Sequence, residues 1–221
     1  MDDPVPLKQK KNPPRTASPE ERRRQLIEAT VTSISKHGIS GTTLARVTQE
    51  AGLSIGLVNF HFESKEALLK ATLQHLADEH RRLWIKESSR PDIDAAAKLR
   101  AIVDAQFHPK VCNRRKLAVW FAFFGESEHR RNYRNVSRAV DEERQSVTAH
   151  LCASIVIEGG YVGVAPHQVS QMLEGLFDGL WLNILMYPER FNRRNARDQV
   201  ASYLHFCFPR HFQTGDSDPH P

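Results

Sequence analysis

The chain has 221 residues, 40% of them hydrophobic, with a net charge of +5 and a pI near 9.2. Those figures suit a globular protein of one or two domains with a sizeable core, exclude a disordered chain, and favour a polyanionic partner without specifying a fold. Three scattered cysteines (Cys112, Cys152, Cys207) with no CxxC pair exclude a disulfide framework or zinc site, and no apolar run approaches the roughly 18 residues of a membrane span.

Residues 1–17 carry four prolines, four basic side chains and almost no large apolar ones, and read as a disordered tail. Order begins at Ser18-Pro19-Glu20-Glu21, a capping box with proline at the first helical position. Apolar residues recur at helical spacing through Leu26, Ile27, Ala29 and Ile34, and Gly38 ends that helix. Thr42 or Thr43 caps a second helix to Ala51, broken by Gly52. Ser54 caps a short third helix to His61. A fourth starts at Ser64-Lys65-Glu66, presents Leu68, Leu69, Leu73 and Leu76 inward, and runs towards Trp84. Further helices are expected at about 93–108, 114–128, 131–158, 166–187 and 192–208. An apolar run from Tyr161 to Ala165 is the one strand-like stretch, and residues 213–221 read as a second tail. The fold class is all-α.

The informative segment is residues 43–62, TLARVTQEAGLSIGLVNFHF. Two short helices meet at Ala51-Gly52-Leu53-Ser54, where glycine permits the positive φ of a sharp turn. Val47, Ala51, Leu57 and Val58 suit a small shared core that Leu53 plugs. Ser54 opens the next helix at a place suited to a phosphate. This is a helix-turn-helix pattern, in which the first helix braces the backbone and the second enters the major groove.

The segment from Arg22 to Leu76 resembles the DNA-binding domain of TetR-family repressors, through Thr43, Ala51, Gly52, Leu53, Ser54, Gly56, Phe60, Phe62, Lys65, Glu66, Leu68 and Leu69. The resemblance implies that Lys65 grips a phosphate, that Thr43 and Ser54 place their helices on the backbone, and that Gly56 lets the recognition helix approach the duplex. Asn59, Phe60 and His61 then form the exposed reading surface, with Phe62 in the core. Asn59, and often His61, stand where the family has tyrosine, which leaves the operator sequence open. Lys8, Lys10, Lys11 and Arg15 of the tail are read as solvated, with an arm on DNA as the alternative.

Behind this head, Leu99–Val103, Lys116–Phe124, Tyr133–Leu151 and Leu176–Leu182 resemble the choline-responsive, BetI-type branch of the family. The helix at 166–187 is apolar over more than one face and should be buried on more than one side. With the last helix it supplies the dimer interface that the resemblance implies: Met172, Gly175, Leu176, Gly179, Leu182, Leu204 and Phe208. Trp84, Trp120, Phe124, Tyr133 and Trp181 are candidate aromatic walls for a cationic effector, with Asp178 as counter-charge and Glu126 or Glu174 as the alternative acids. The expected organisation is a tail at 1–17, a DNA-binding domain at 20–80, a sensor and dimerisation domain at 81–212 and a tail at 213–221.

The expected function is a cytoplasmic, homodimeric repressor on a palindromic DNA operator, released by a small-molecule effector, with no membrane partner. The alternative is a family-fold protein-interaction module or activator, against which Lys65 and Gly56 count. No GxSxG, HExxH, P-loop or dinucleotide fingerprint occurs; Glu126-Ser127-Glu128-His129 has ExxH spacing once, where a di-metal bundle needs it on two helices, and Asp78-Glu79-His80 lacks it. No enzyme activity, cofactor or metal is expected.

Overall fold

The structure, a computed structural model, describes residues 17–126 and 130–213. Nine helices and no strand occur among them: α1 (Pro19–Gly41), α2 (Leu44–Ala51), α3 (Ile55–His61), α4 (Lys65–Ser88), α5 (Ala95–Gln106), α6 (Arg114–Gly125), α7 (Arg130–Gly159), α8 (Pro166–Met186) and α9 (Arg193–Cys207). The cationic tail residues and the run 127–129 lie outside the described residues, as does the Tyr133 side chain.

Local chemistry accounts for the boundaries. Ser18 accepts from the Glu21 backbone N–H while the Glu21 carboxylate accepts from that of Ser18, closing the capping box. Side-chain oxygens of Thr43, Ser64, Asp94, Asn113 and Asn192 cap α2, α4, α5, α6 and α9. Gly38 loses helical geometry at φ 69°, as its residue type predicts, but one further turn carries the chain to Gly41 and buries Ile39. The Tyr161–Ala165 run forms turn and bend rather than strand, with Gly160 and Gly163 at positive φ on either side of Val162.

Two apolar clusters organise the chain. A small one joins Leu26, Ile27 and Ala29 of α1 to Val47, Ala51, Val58, Phe62 and Leu68, and so holds the first four helices together. The large one runs through α5 to α9 and also takes in Val31, Ile34, Leu69, Leu73 and Leu76. Opposite stretches of α1 and α4 therefore serve both cores. The boundary expected at 80/81 falls inside α4, which continues unbroken to Ser88. No described helix is long and apolar enough to cross a membrane.

Candidate nucleic-acid interface and sensor cavity

Gly52, at φ 64°, ends α2 in the left-handed region and turns the chain into α3. The Gln25 side chain donates to the Ala51 carbonyl at 2.7 Å and fixes this turn to α1. Val58 and Phe62 then bury their side chains, and the Arg23 guanidinium lies 5.2 Å from the Phe62 ring centre. The opposite face of α3 is left in solvent. It carries Ile55, Gly56, Asn59 and Phe60, with Phe60 76% exposed and edge-on to the half-buried His61 at 5.0 Å.

Thr43 is exposed, but its hydroxyl is occupied in accepting from the Arg46 backbone N–H. Ser54 precedes α3 without making a side-chain cap bond. Lys65 sits on the first turn of α4 and donates to the Ile39 carbonyl at 3.3 Å; an ammonium has three donors, so this contact positions it without exhausting it. Ile55 was absent from the expected reading surface. It is 54% exposed on the first turn of α3, which residue type alone does not reveal.

Behind the head, α4 to α8 enclose a cavity of about 560 Å³. Of the six expected sensor residues, Trp120, Trp181 and Asp178 line it. Trp84 does not, because it faces the large core and is 1% exposed. Phe124 does not either: it lies at the end of α6 and is largely solvent-exposed. Tyr133 is on α7, but its side chain is outside the described set. The sequence reading missed His80, Gln106, Arg134, Arg138, Asp141, Glu142, Arg144, Gln145 and Phe177, and of the acids it weighed kept Glu174. Polar residues within long helices look like solvated faces until the helices are packed.

The walls are ordered by specific contacts. Trp120 and Trp181 have ring centres 6.4 Å apart at 38°. Trp181 donates its indole N–H to the Gln106 main-chain carbonyl at 2.9 Å and lies 5.6 Å from the His80 ring. Arg144 is buried and ion-paired with both Glu174 and Asp141, donating to Glu174 at 3.1 Å from Nε. Among the described residues no basic side chain pairs with Asp178. Although Asp178 opens towards solvent, the apolar wall around its carboxyl raises its pKa to about 6; Glu174 and Asp141 add to that rise and Arg144 opposes it. Glu126, also a candidate counter-charge, instead accepts from Ser40 at 3.2 Å.

The expected interface residues divide in two. Met172, Gly175, Gly179 and Leu182 are exposed on α8, with open space where a Cβ would stand on either glycine, and Leu176 is half-buried. Leu204 and Phe208 instead point into their own subunit at 1% and 0% exposure, because the C-terminal turn folds back and sets Phe208 edge-on to Tyr161 and tilted against Phe212. The exposed large apolar side chain of α9 is Phe206.

Residues 26–72 match the family described as bacterial regulatory proteins of the tetR family, and residues 95–209 match the BetI-type transcriptional repressor C-terminal family. The chain belongs to the TetR family. Its C-terminal part is BetI-type, and it is a transcriptional regulator of that kind rather than an enzyme. The HTH-type transcriptional regulator BetI of Paraburkholderia xenovorans is 33% identical over 86% of this chain and 95% of its own length, and that of Paraburkholderia phytofirmans is 34% identical over the same shares. A solved Pseudomonas aeruginosa PAO1 structure, described as a transcriptional regulator, superposes with TM-score 0.75 at 26% identity, covering 89% of this chain and 96% of its own. A Saccharomonospora viridis regulator, solved in complex with choline, superposes with TM-score 0.73 at 19% identity, covering 84% and 96%. The last likeness shows the shared TetR fold.

Proposed function

We propose that this TetR-family chain is a homodimeric repressor that binds a palindromic DNA operator and leaves it when a small organic cation, choline or a relative, fills the cavity. Residues 20–80 act as the DNA-binding head and 81–212 as the sensor and dimerisation body. The observation that carries the reading is α4. One unbroken helix places Lys65 beside the reading surface of α3 and His80 in the cavity wall. At 1.5 Å per residue the two lie about 22 Å apart along its axis. A ligand that prefers one setting of α4 therefore biases the spacing of the two heads in a dimer.

On DNA, Asn59 and Phe60 face the major groove with Gly56 at the point of closest approach. Lys65, Thr43 and Ser54 serve the backbone, and His61 supports Phe60. The cationic effector is supported by two tryptophans, an unpaired carboxylate and the choline held by the S. viridis relative. The dimer is supported by the exposed apolar face of α8, whose Met172, Leu182 and Met186 stand free in a single chain. Footprinting of the purified protein on operator fragments selected from random DNA tests the reading: a protected palindrome with two half-sites is expected, and no selected sequence at low salt contradicts it.

A further inference from the structure

The exposed face of α3 is apolar where a DNA surface is usually charged. Ile55 and Phe60 stand in solvent on it, and among the described residues of the head no other large apolar side chain does. The small core draws Val58 from the opposite face of the same helix, and Phe62 just beyond it, so Ile55 and Phe60 add little to the packing of the head. The helix runs Ile-Gly-Leu-Val-Asn-Phe-His and carries no lysine or arginine. His61, its one basic side chain, is half-buried and meets the Phe60 ring edge-on. Cations of the neighbouring helices are anchored at the end of α1 instead: Arg46 of α2 on the Gly41 carbonyl and Lys65 of α4 on the Ile39 carbonyl.

This composition narrows what the face can recognise. In the major groove guanine is most often taken by the forked donors of arginine or by lysine, adenine by the amide of asparagine, and thymine by apolar contact with its methyl group. The face of α3 lacks the first kind of side chain and holds the other two. Ile55 and Asn59 are four residues apart and share one row, about 6 Å along the helix axis and close to two base-pair steps. Gly56 and Phe60 form the row beside it. A Cβ on Gly56 would meet nothing nearer than the Ser54 hydroxyl at 3.9 Å, so the backbone is bare at that point and can come close to the base edges. Side chains as short as Ile55 and Asn59 need that approach.

We infer that Ile55 and Phe60 read thymine methyl groups next to an adenine taken by Asn59, so that each operator half-site is built on A·T pairs and Ile55 is a specificity-determining residue. This rests on the DNA-binding reading above and specifies what the surface recognises. Thymine differs from uracil by that methyl alone. Uracil substitution therefore removes the contact and leaves every hydrogen-bonding group of the base pair in place.

Fluorescence anisotropy of the full-length protein on an operator selected from random DNA tests this, with each thymine replaced in turn by uracil at matching positions of both half-sites. Two positions are expected at which uracil weakens binding by about tenfold, about threefold to fourfold for each buried methyl. Ile55→Ala should abolish the penalty at one of them and Phe60→Ala at the other, with thermal unfolding of both variants unchanged, since alanine suits an exposed helical position. Equal binding of thymine and uracil operators by the unaltered protein overturns the inference. A penalty that persists undiminished in both variants also overturns it, because it then belongs to the deformability of the duplex. Selected half-sites made of G·C pairs do the same. If no sequence is selected at all, the DNA-binding reading itself fails and takes the inference with it.

Discussion

The Arg115 guanidinium on α6 donates to the Glu28 carboxylate on α1 at 2.7 Å and to the Thr32 hydroxyl at 2.9 Å, tying the helical body directly to the first helix of the DNA-binding head. Glu28 also faces His75 of α4 at 3.6 Å. The His75 contact is the largest of the influences that hold the Glu28 pKa down to about 2, with Arg115 adding to it against partial burial. A second tie, Lys116 to Glu79, runs between α6 and α4. Contacts from α6, whose Trp120 lines the cavity, thus reach both helices that carry the head.

Replacing Arg115 by alanine should separate sensing from release. The pair is roughly two-fifths exposed, so its loss should cost about 0.5–1 kcal/mol of stability. Choline affinity measured by calorimetry should stay within about twofold, while the choline needed to free the operator should rise several-fold. An unchanged release curve would remove Arg115 from the coupling path.

Lys65→Ala should weaken DNA binding by a similar factor on all operator variants and lower the salt dependence by about one phosphate contact. Asn59→Ala should instead relax preference at one base position. Competition binding against single-base operator variants distinguishes the two patterns.

Arg144→Met should destabilise the body by about 1–3 kcal/mol at neutral pH, because it leaves the part-buried Glu174 and the more exposed Asp141 without their shared cation. The double variant with Glu174→Met should recover much of that loss. Urea melts of both variants check the difference.

Asp178 gives a pH signature. Its folded pKa, near 6, lies above the ordinary carboxylate value, so the folded protein binds more protons than the unfolded chain between about pH 4 and 6. The sign is therefore negative: this group's contribution to stability falls as pH rises through that window, and Asp178→Asn removes the slope. A cation favours the ionised carboxylate, so choline affinity should rise as pH increases from 5 to 7 in the native protein, by up to about tenfold, and stay flat in the variant. Parallel thermal melts and calorimetry across that range would show it.

Much of the head was readable from the chain because its signals are local. A capping box at Ser18, a left-handed glycine at 52 and a threonine cap at 43 each depend on a few neighbouring residues, and each sits where the structure has it. Helical periodicity likewise placed α5 to α9 to within a few residues. The cavity was less legible, because it is assembled from five helices distant in sequence. Aromatic type alone could not separate Trp120, which lines it, from Trp84, which fills the core. No local signal marks His80 or Arg144, which only the packing of the helices buries. Leu204 and Phe208 carry the apolarity of an interface, but the fold-back of the C-terminal turn places them inside their own subunit, and Phe206 is the one that faces out.

Fluorescence anisotropy of a labelled operator, titrated with choline in the presence of the purified protein at fixed salt and pH 7.5, tests the central claim most directly. A dimer that binds the palindrome and is released as choline rises, with the half-release concentration tracking calorimetric affinity, is the predicted result. An operator complex that persists unchanged at choline concentrations saturating the cavity would contradict it.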